Sequence, residues 1–172
     1  MRCRPSLWLA IGLSGCTPER LPVDLINLFD WREAAASEDP FPDRPENVQC
    51  PTSSRVIEFE EDTAFLEIDT TFCSYITLTQ DTQAEIVGGD TIHFRWGHRD
   101  LDAPNPAQGH VALLINEELI EDRTVDIPAA EMDTVIQFEM PDDVPLGSPV
   151  WLHLHNHGDN QWLFYTPRVH PL

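Results

Sequence analysis

Histidines are the residues of this sequence whose spacing most directly suggests chemistry. Seven occur in a chain of 172 residues that contains no lysine, and three fall in the run His153–Leu154–His155–Asn156–His157. On a β-strand, His153 and His155 face the same side, with Cα atoms about 7 Å apart. Two imidazoles at this spacing can bind one metal ion, and Zn²⁺ or Cu²⁺ suits such ligands. A third ligand must come from elsewhere in the chain.

Strand direction indicates where that third ligand lies. If successive strands run antiparallel, the strand that ends at Trp96 and the strand that ends at His155 finish at the same pole of the domain. Histidines and aspartates near these strand ends then gather at this pole. They are His98, Asp100, Asp102, His110, His155 and His157. We predict a metal site there, in which an aspartate is either a fourth ligand or an acceptor that orients an imidazole.

Two other interpretations of the histidines remain open. An alternative metal site consists of His93, His153 and His155 on the outer face of one sheet. In the second interpretation the histidines are surface residues without a ligand, because the run from Asn156 to Asn160 has the composition of a plain turn.

Signatures of common enzyme classes are missing from the sequence. It contains no Gly-x-Ser-x-Gly elbow, no Gly-x-Gly-x-x-Gly loop, no phosphate loop and no His-Glu-x-x-His motif. No pair among the 30 acidic residues stands out as the acid and base of a glycosidase. We therefore expect a non-catalytic binding protein. A zinc-dependent hydrolase is an alternative, because zinc held by three histidines can activate water.

The elements that must position these residues are strands. From Val48 to Leu172, apolar residues alternate with polar ones between Pro- and Gly-containing turns, and helical periodicity is absent. Ile92, Phe94 and Trp96, for example, face one side of their strand. The pattern predicts an all-β domain, an antiparallel β-sandwich of about nine strands, over residues 48–172.

The sandwich region resembles a known type of domain. From Cys73 to Val169, and above all in the final hairpin from Gly147 to Trp162, it is similar to the jelly-roll and immunoglobulin-like sandwiches of envelope lipoproteins and carbohydrate-binding modules. The resemblance implies the fold and assigns no binding residue. A carbohydrate- or protein-binding module that uses Trp151 and Trp162 is therefore the alternative to metal binding.

The N-terminus has the pattern of an export signal. Arg2 and Arg4 precede the short apolar run 7–13, and the run ends in Leu13–Ser14–Gly15–Cys16. This ending resembles the lipobox of bacterial lipoproteins. The resemblance implies that residues 1–15 are removed, that Cys16 carries acyl chains such as palmitate, and that these chains anchor the protein. Thr17 after the cysteine favours the outer membrane of the cell envelope, on its periplasmic or its outer side.

Residues 16–47 are predicted to form a tether between the lipid and the sandwich. The segment is rich in proline and acidic residues, which cannot continue a helix beyond a short stretch. Within it, Leu25, Leu28 and Phe29 share one helical face and Asp24 can cap it, so we expect one short helix.

Two cysteines remain once Cys3 is removed and Cys16 is lipidated. In an exported protein such a pair usually forms a disulfide, so we predict a bond between Cys50 and Cys73. In the chain-entropy model a loop of this length contributes about 3 kcal/mol.

Charge excludes one class of partner. The chain has 10 arginines and 30 acidic residues, a net charge of −20 and a pI near 4.4, and loss of Arg2 and Arg4 with the signal makes the charge −22. Nucleic acid is therefore excluded, because phosphates require a basic surface. The expected partners are the membrane through the lipid anchor, and a metal ion, a glycan or an envelope protein.

Overall fold

The structure is a computed structural model that describes residues 19–172. The predicted signal peptide and the predicted lipidation site Cys16 lie outside the described residues. Within them, twelve strands and two short 3₁₀ helices, Leu28–Asp30 and Thr52–Ser54, are present. The strands are β1 (Val23–Asp24), β2 (Arg32–Glu33), β3 (Arg55–Glu60), β4 (Thr63–Asp69), β5 (Tyr75–Asp81), β6 (Thr91–His98), β7 (Ala107–Ile115), β8 (Glu118–Ile127), β9 (Met132–Glu139), β10 (Pro149–His155), β11 (Gln161–Tyr165) and β12 (Arg168–His170).

The strands form two antiparallel sheets that pack as a sandwich. The five-stranded sheet has the order β2-β5-β10-β7-β8, and the seven-stranded sheet has the order β1-β12-β6-β11-β4-β3 with β9 paired to β6. The predicted all-β antiparallel sandwich is confirmed, and the nine expected strands correspond to β3 through β11. Among residues 19–172, no helix is long and apolar enough to cross a membrane.

Alternation along the strands places the core between the sheets. Leu152 and Leu154 of β10 and Phe94 and Trp96 of β6 are almost fully buried in one apolar cluster. Residues at the intervening positions of β10 then point to the outer face of the five-stranded sheet. The core therefore fixes which side of β10 the histidines occupy.

Residues 19–47 differ from the tether and short helix that the sequence predicted. β1 pairs with β12, β2 pairs with β5, and Leu25 and Leu28 are buried in the core. The only helical turn in this segment is Leu28–Asp30, whose bond from Asp30 N–H to the Asn27 carbonyl is of the 3₁₀ type. Phe29 is 66% exposed. The segment adopts this path because its backbone N–H groups find partners on the sandwich, such as Leu25 on the Pro167 carbonyl.

The predicted disulfide is present. Cys50 and Cys73 are bonded, with a sequence separation of 23. Cys73 is buried and Cys50 packs against the core. The bond therefore joins the segment before β3 to the start of β5.

Candidate metal centre

Two neighbouring strands, β7 and β10, place imidazoles on the outer face of the five-stranded sheet. In the register of β10 with β5 and β7, His155 lies between Tyr75 and His110, and His153 lies between Thr77 and Ala112. His110, His153 and His155 therefore share one face, because directly paired residues in antiparallel strands point to the same side.

A segment from the N-terminal part of the chain lies across this face. We call residues 38–44 the covering segment. The Trp151 indole N–H donates to the Glu38 carbonyl at 3.1 Å, and the ring of Phe41 stacks on that of His153 at 4.3 Å between centroids. As a result His153 has no exposed surface.

Asp39 and Arg44 attach the covering segment to β5. The Tyr75 hydroxyl donates to Asp39 Oδ2 at 2.8 Å, and Arg44 Nη1 donates to the same oxygen at 2.7 Å. The Arg44 guanidinium also lies 5.5 Å from the centre of the Tyr75 ring. Burial raises the pKa of the Tyr75 hydroxyl, so it stays protonated and remains a donor.

The covering segment brings Asp43 to the imidazoles. Asp43 Oδ2 lies 3.7 Å from His110 Nδ1 and 3.7 Å from His153 Nε2, and the three ligand atoms all lie within 4.8 Å of one another. Tetrahedral zinc with bonds of about 2.0–2.2 Å needs ligand atoms about 3.3 Å apart. The two distances to Asp43 Oδ2 exceed this separation by about 0.4 Å. We call Asp43, His110 and His153 the Asp43 cluster.

Hydrogen bonds fix which nitrogen of His153 faces Asp43. The Thr77 hydroxyl donates to Asp39 Oδ1 at 3.1 Å, so its oxygen accepts from His153 Nδ1, which lies 3.0 Å away. We therefore assign the proton of His153 to Nδ1. Nε2 then presents a lone pair toward the Asp43 carboxylate, and it is buried without a hydrogen-bond partner.

The other two imidazoles are oriented by carboxylates. Nε2 of His110 donates to Asp122 Oδ1 at 2.7 Å, which leaves Nδ1 facing Asp43. His155 Nδ1 donates to Asp43 Oδ2 at 2.8 Å. Imidazole ligands of metals typically donate their second N–H to a carboxylate in this way, and ligating carboxylates are themselves hydrogen-bonded.

Protonation states agree with this arrangement. Burial lowers the pKa of His153 to about 4, against the opposing effect of the Asp43 carboxylate, so the ring is neutral at pH 7. Burial is the largest single influence on Asp43 and would raise its pKa, but the hydrogen bond from His155 and the electrostatic effects of His153 and His155 together outweigh it, and the pKa lies below its usual value. Asp43 is therefore ionised.

The structure separates the predicted metal residues into two groups. His110 and His155 meet Asp43, whereas His98 is buried in the seven-stranded sheet, where its Nδ1 donates to the Arg99 carbonyl at 2.8 Å. Asp100 accepts the Glu131 backbone N–H at 2.8 Å. Strand direction predicts the end of the sandwich that a residue reaches, but it does not predict which sheet face the side chain occupies.

Asp102 and His157 do not join the cluster. Asp102 N–H donates to the Asn160 side chain at 2.7 Å, which ties the loop after β6 to the turn after β10. The rings of His157 and His155 are 5.0 Å apart between centroids.

The alternative set is divided between the two sheets. His93 lies on β6 of the seven-stranded sheet, stacked on His170 at 3.7 Å, whereas His153 and His155 lie on the five-stranded sheet. His93 is therefore not a partner of the other two. Trp162, expected as an exposed binding residue, is fully buried in the core.

Asp43 is the member of the cluster that sequence reasoning missed. It lies 112 residues from His155 in a proline-rich acidic stretch that we interpreted as a tether. No local periodicity singles it out among 30 acidic residues. Only the path of the covering segment across the sheet identifies it.

A groove opens beside the Asp43 cluster. Its volume is about 760 Å³. Asp43 and His110 belong to both the cluster and the groove wall, whereas His153 lies behind them. Polar residues of the wall include Asp43, Gln108, His110, Thr124, Asp126, His155 and His157.

Fold and site together form an antiparallel β-sandwich with a histidine- and aspartate-lined groove. The sequence matches no protein-family model and no curated protein.

Solved structures to which this chain is similar include three carbohydrate-binding modules. The first is a family 61 carbohydrate-binding module in complex with β-1,4-galactotriose, with a TM-score of 0.48, 6% identity, and coverage of 84% of this chain and 90% of that one. The second is a xylan-binding module of family 15, with a TM-score of 0.44, 8% identity, and coverage of 88% of this chain and 97% of that one. The third is the family 11 module from Clostridium thermocellum in complex with a β-1,3-1,4-mixed-linked tetrasaccharide. Its TM-score is 0.42 at 9% identity, and the match covers 88% of this chain and 96% of that one.

Proposed function

We propose that this chain is a non-catalytic binding protein that holds one Zn²⁺ or Cu²⁺ ion in the Asp43 cluster. The observation that carries the proposal is the buried lone pair of His153 Nε2, which has no donor and faces the Asp43 carboxylate at 3.7 Å. An unpaired buried polar atom costs about 1–3 kcal/mol. A cation between the two acceptors removes this cost and also takes the lone pair of His110.

Calorimetry with zinc and copper tests the metal centre. The full chain, purified without a histidine tag, is compared with Asp43→Asn and His110→Gln. Each variant removes one ligand, so we expect affinity to fall by at least about 100-fold. His157→Gln is the matched control, because His157 lies nearby but outside the cluster, and it should change affinity by less than about threefold. Equal affinities for the wild type and Asp43→Asn would refute the proposal.

A second candidate ligand is a carbohydrate. The groove supports this candidate, because Asp126, Thr124 and Gln108 offer hydrogen-bond donors and acceptors to hydroxyl groups along its wall. Affinity electrophoresis on neutral polysaccharides such as xylan and galactan, with and without a chelator, tests it. Retardation that survives chelation supports direct sugar binding, and no retardation under either condition contradicts it.

We also propose that the protein is an envelope lipoprotein anchored through Cys16. The support is the charged start, the short apolar run and the sequence Leu13–Ser14–Gly15–Cys16. Cys16→Ala should leave the chain unprocessed and remove it from the lipid-modified fraction, as measured by mass spectrometry of the N-terminus and by membrane fractionation. A wild-type N-terminus without acyl mass would exclude the anchor.

A further inference from the structure

The Asp43 cluster leaves one metal coordination position free, and the geometry places it toward the groove. A tetrahedral ion uses four ligands, and the cluster supplies three. His153 has no exposed surface and closes the site from behind. Asp43 and His110 line the groove, so the remaining position faces the groove. An oxygen atom of a molecule in the groove can fill it.

Charge decides what kind of oxygen binds best. A divalent ion with one carboxylate and two neutral imidazoles keeps a net charge of about +1. Among the described residues that line the groove there is no arginine, and Asp126 adds a negative charge to the wall. The metal is therefore the positive centre of the groove. A carboxylate ligand gains more from this centre than a neutral hydroxyl does.

The groove extends well beyond the space that one carboxylate needs. Asp126 Oδ1 accepts from the Gln108 amide at 3.0 Å and keeps further lone pairs that require donors. Thr124 pairs with His110 across β7 and β8 and lies on the same wall. These groups fit hydroxyls carried by the same molecule as the carboxylate.

We propose that the groove binds an acidic sugar, a uronic acid residue of a glycan, whose carboxylate completes the coordination of the metal while its hydroxyls bond to Asp126 and Thr124. This inference rests on the proposed metal centre. It assigns the metal a role in recognition and names the chemical class that the groove selects.

Glucuronate binding to the full chain tests the inference. Calorimetry is performed on protein loaded with one zinc and dialysed free of excess metal, and on protein stripped with a chelator. Glucose is the control for the carboxylate, and acetate is the control for the hydroxyls. We expect glucuronate to bind the zinc-loaded protein at least about tenfold more tightly than the stripped protein. On the zinc-loaded protein, glucuronate should also bind at least about tenfold more tightly than glucose or acetate.

One variant separates the ligand contact from the metal site. Asp126→Ala should weaken glucuronate binding by at least about threefold while zinc affinity stays unchanged. Asp142→Asn, an exposed carboxylate outside the groove, should alter neither. If zinc fails to bind, the proposed metal centre is wrong. If zinc binds but glucuronate binds equally well without it, or no better than glucose, only the present inference is overturned.

Discussion

Thr77 illustrates how one hydroxyl can set the chemistry of the metal centre. It is fully buried, it donates to Asp39, and its oxygen therefore accepts the proton of His153 Nδ1. This bond keeps Nε2 deprotonated toward Asp43. Thr77 is a positioning residue, because it acts on the metal only through His153.

Replacing Thr77 with valine tests this role. Thr77→Val keeps the shape but removes the acceptor, so the proton of His153 is free to move to Nε2, and zinc affinity should fall about 10–100-fold. Thr79→Val is the matched control, since Thr79 is buried two residues further along β5 and pairs with Trp151 instead. Titration with zinc in competition with a chelating dye measures both. An equal loss in the two variants would mean that the hydroxyl only stabilises the strand.

Asp90 couples the two ends of the described chain to the core. Its carboxylate is fully buried and accepts from Arg20 Nη1 at 2.8 Å, from Val87 N–H at 2.9 Å and from Leu172 N–H at 3.3 Å. Burial alone would raise the pKa of Asp90, but these hydrogen bonds outweigh it and the pKa is lowered. The ionised form is therefore the stable one in the folded state.

The lowered pKa of Asp90 makes stability depend on pH in a defined direction. The contribution of ionised Asp90 to the free energy of unfolding is complete above the unfolded pKa of about 3.9. It is lost as pH falls through the lower pKa of the folded state. Asp90→Asn should reduce the urea midpoint by roughly 0.5 M at pH 7, and this difference should shrink at pH 3 and below. Asp142→Asn, an exposed site, should show no such difference. A difference in urea midpoint between wild type and Asp90→Asn that stays constant with pH would contradict the conclusion that Asp90 is ionised in the folded state.

At the scale of elements, the N-terminal segment is part of the sandwich. β1 and β2 each add a strand to one sheet. Between them, Leu25, Ile26 and Leu28 are buried in the core. Hydrophobic spacing places Leu25, Leu28 and Phe29 on one face of a helix, whereas the structure buries Leu25 and Leu28 and exposes Phe29. The three do not share a face because a 3₁₀ turn with extended flanks rotates residues differently from an α-helix.

Leu25 and Phe29 therefore make a matched pair for measuring what this segment contributes. Leu25 has no exposed surface, so Leu25→Ala should lower the free energy of unfolding by about 2–5 kcal/mol. Phe29→Ala should cost less than about 0.5 kcal/mol, because that ring is mostly exposed. Urea unfolding followed by tryptophan fluorescence measures both. Similar small effects would indicate a segment that packs loosely, as a tether does.

At the scale of the whole molecule, net charge opposes compaction. The chain carries −20, and acidic residues crowd exposed turns such as Glu60, Glu61 and Asp62 between β3 and β4. Repulsion between exposed charges is screened by salt, with a Debye length of about 30 Å at 0.01 M and about 3 Å at 1 M. Stability should therefore rise with ionic strength.

A salt series with one charge-reduced variant tests this repulsion. Raising sodium chloride from about 0.01 M to about 0.5 M should add on the order of 1 kcal/mol to the unfolding free energy of chelator-treated protein. Glu60→Gln combined with Asp62→Asn should be more stable than wild type at low salt and nearly equal to it at high salt. A constant difference between the two proteins would show that local contacts, and not long-range repulsion, are responsible.

The sequence by itself determined nine of the twelve strands in the described residues, the disulfide and the sheet face on which the β10 histidines lie. These features follow from local rules: side chains alternate along a strand, turns require Gly and Pro, and Cys50 and Cys73 are the pair that remains under the proposed removal of Cys3 and lipidation of Cys16. The same rules placed Leu152 and Leu154 in the core and His153 and His155 on the opposite face of the sheet, as the structure shows, although the covering segment buries His153. Strand direction also brought His110 and His155 to one end.

Only the tertiary structure decided which groups meet around the imidazoles. His98 reaches the same end of the sandwich but belongs to the seven-stranded sheet, and His93 also lies on that sheet. Asp43 joins His110 and His153 because the covering segment crosses the sheet, held by Asp39 and Phe41 contacts more than 30 residues away in the chain. Local periodicity carries no information about such contacts, because they depend on how an irregular segment satisfies its polar groups against a finished surface.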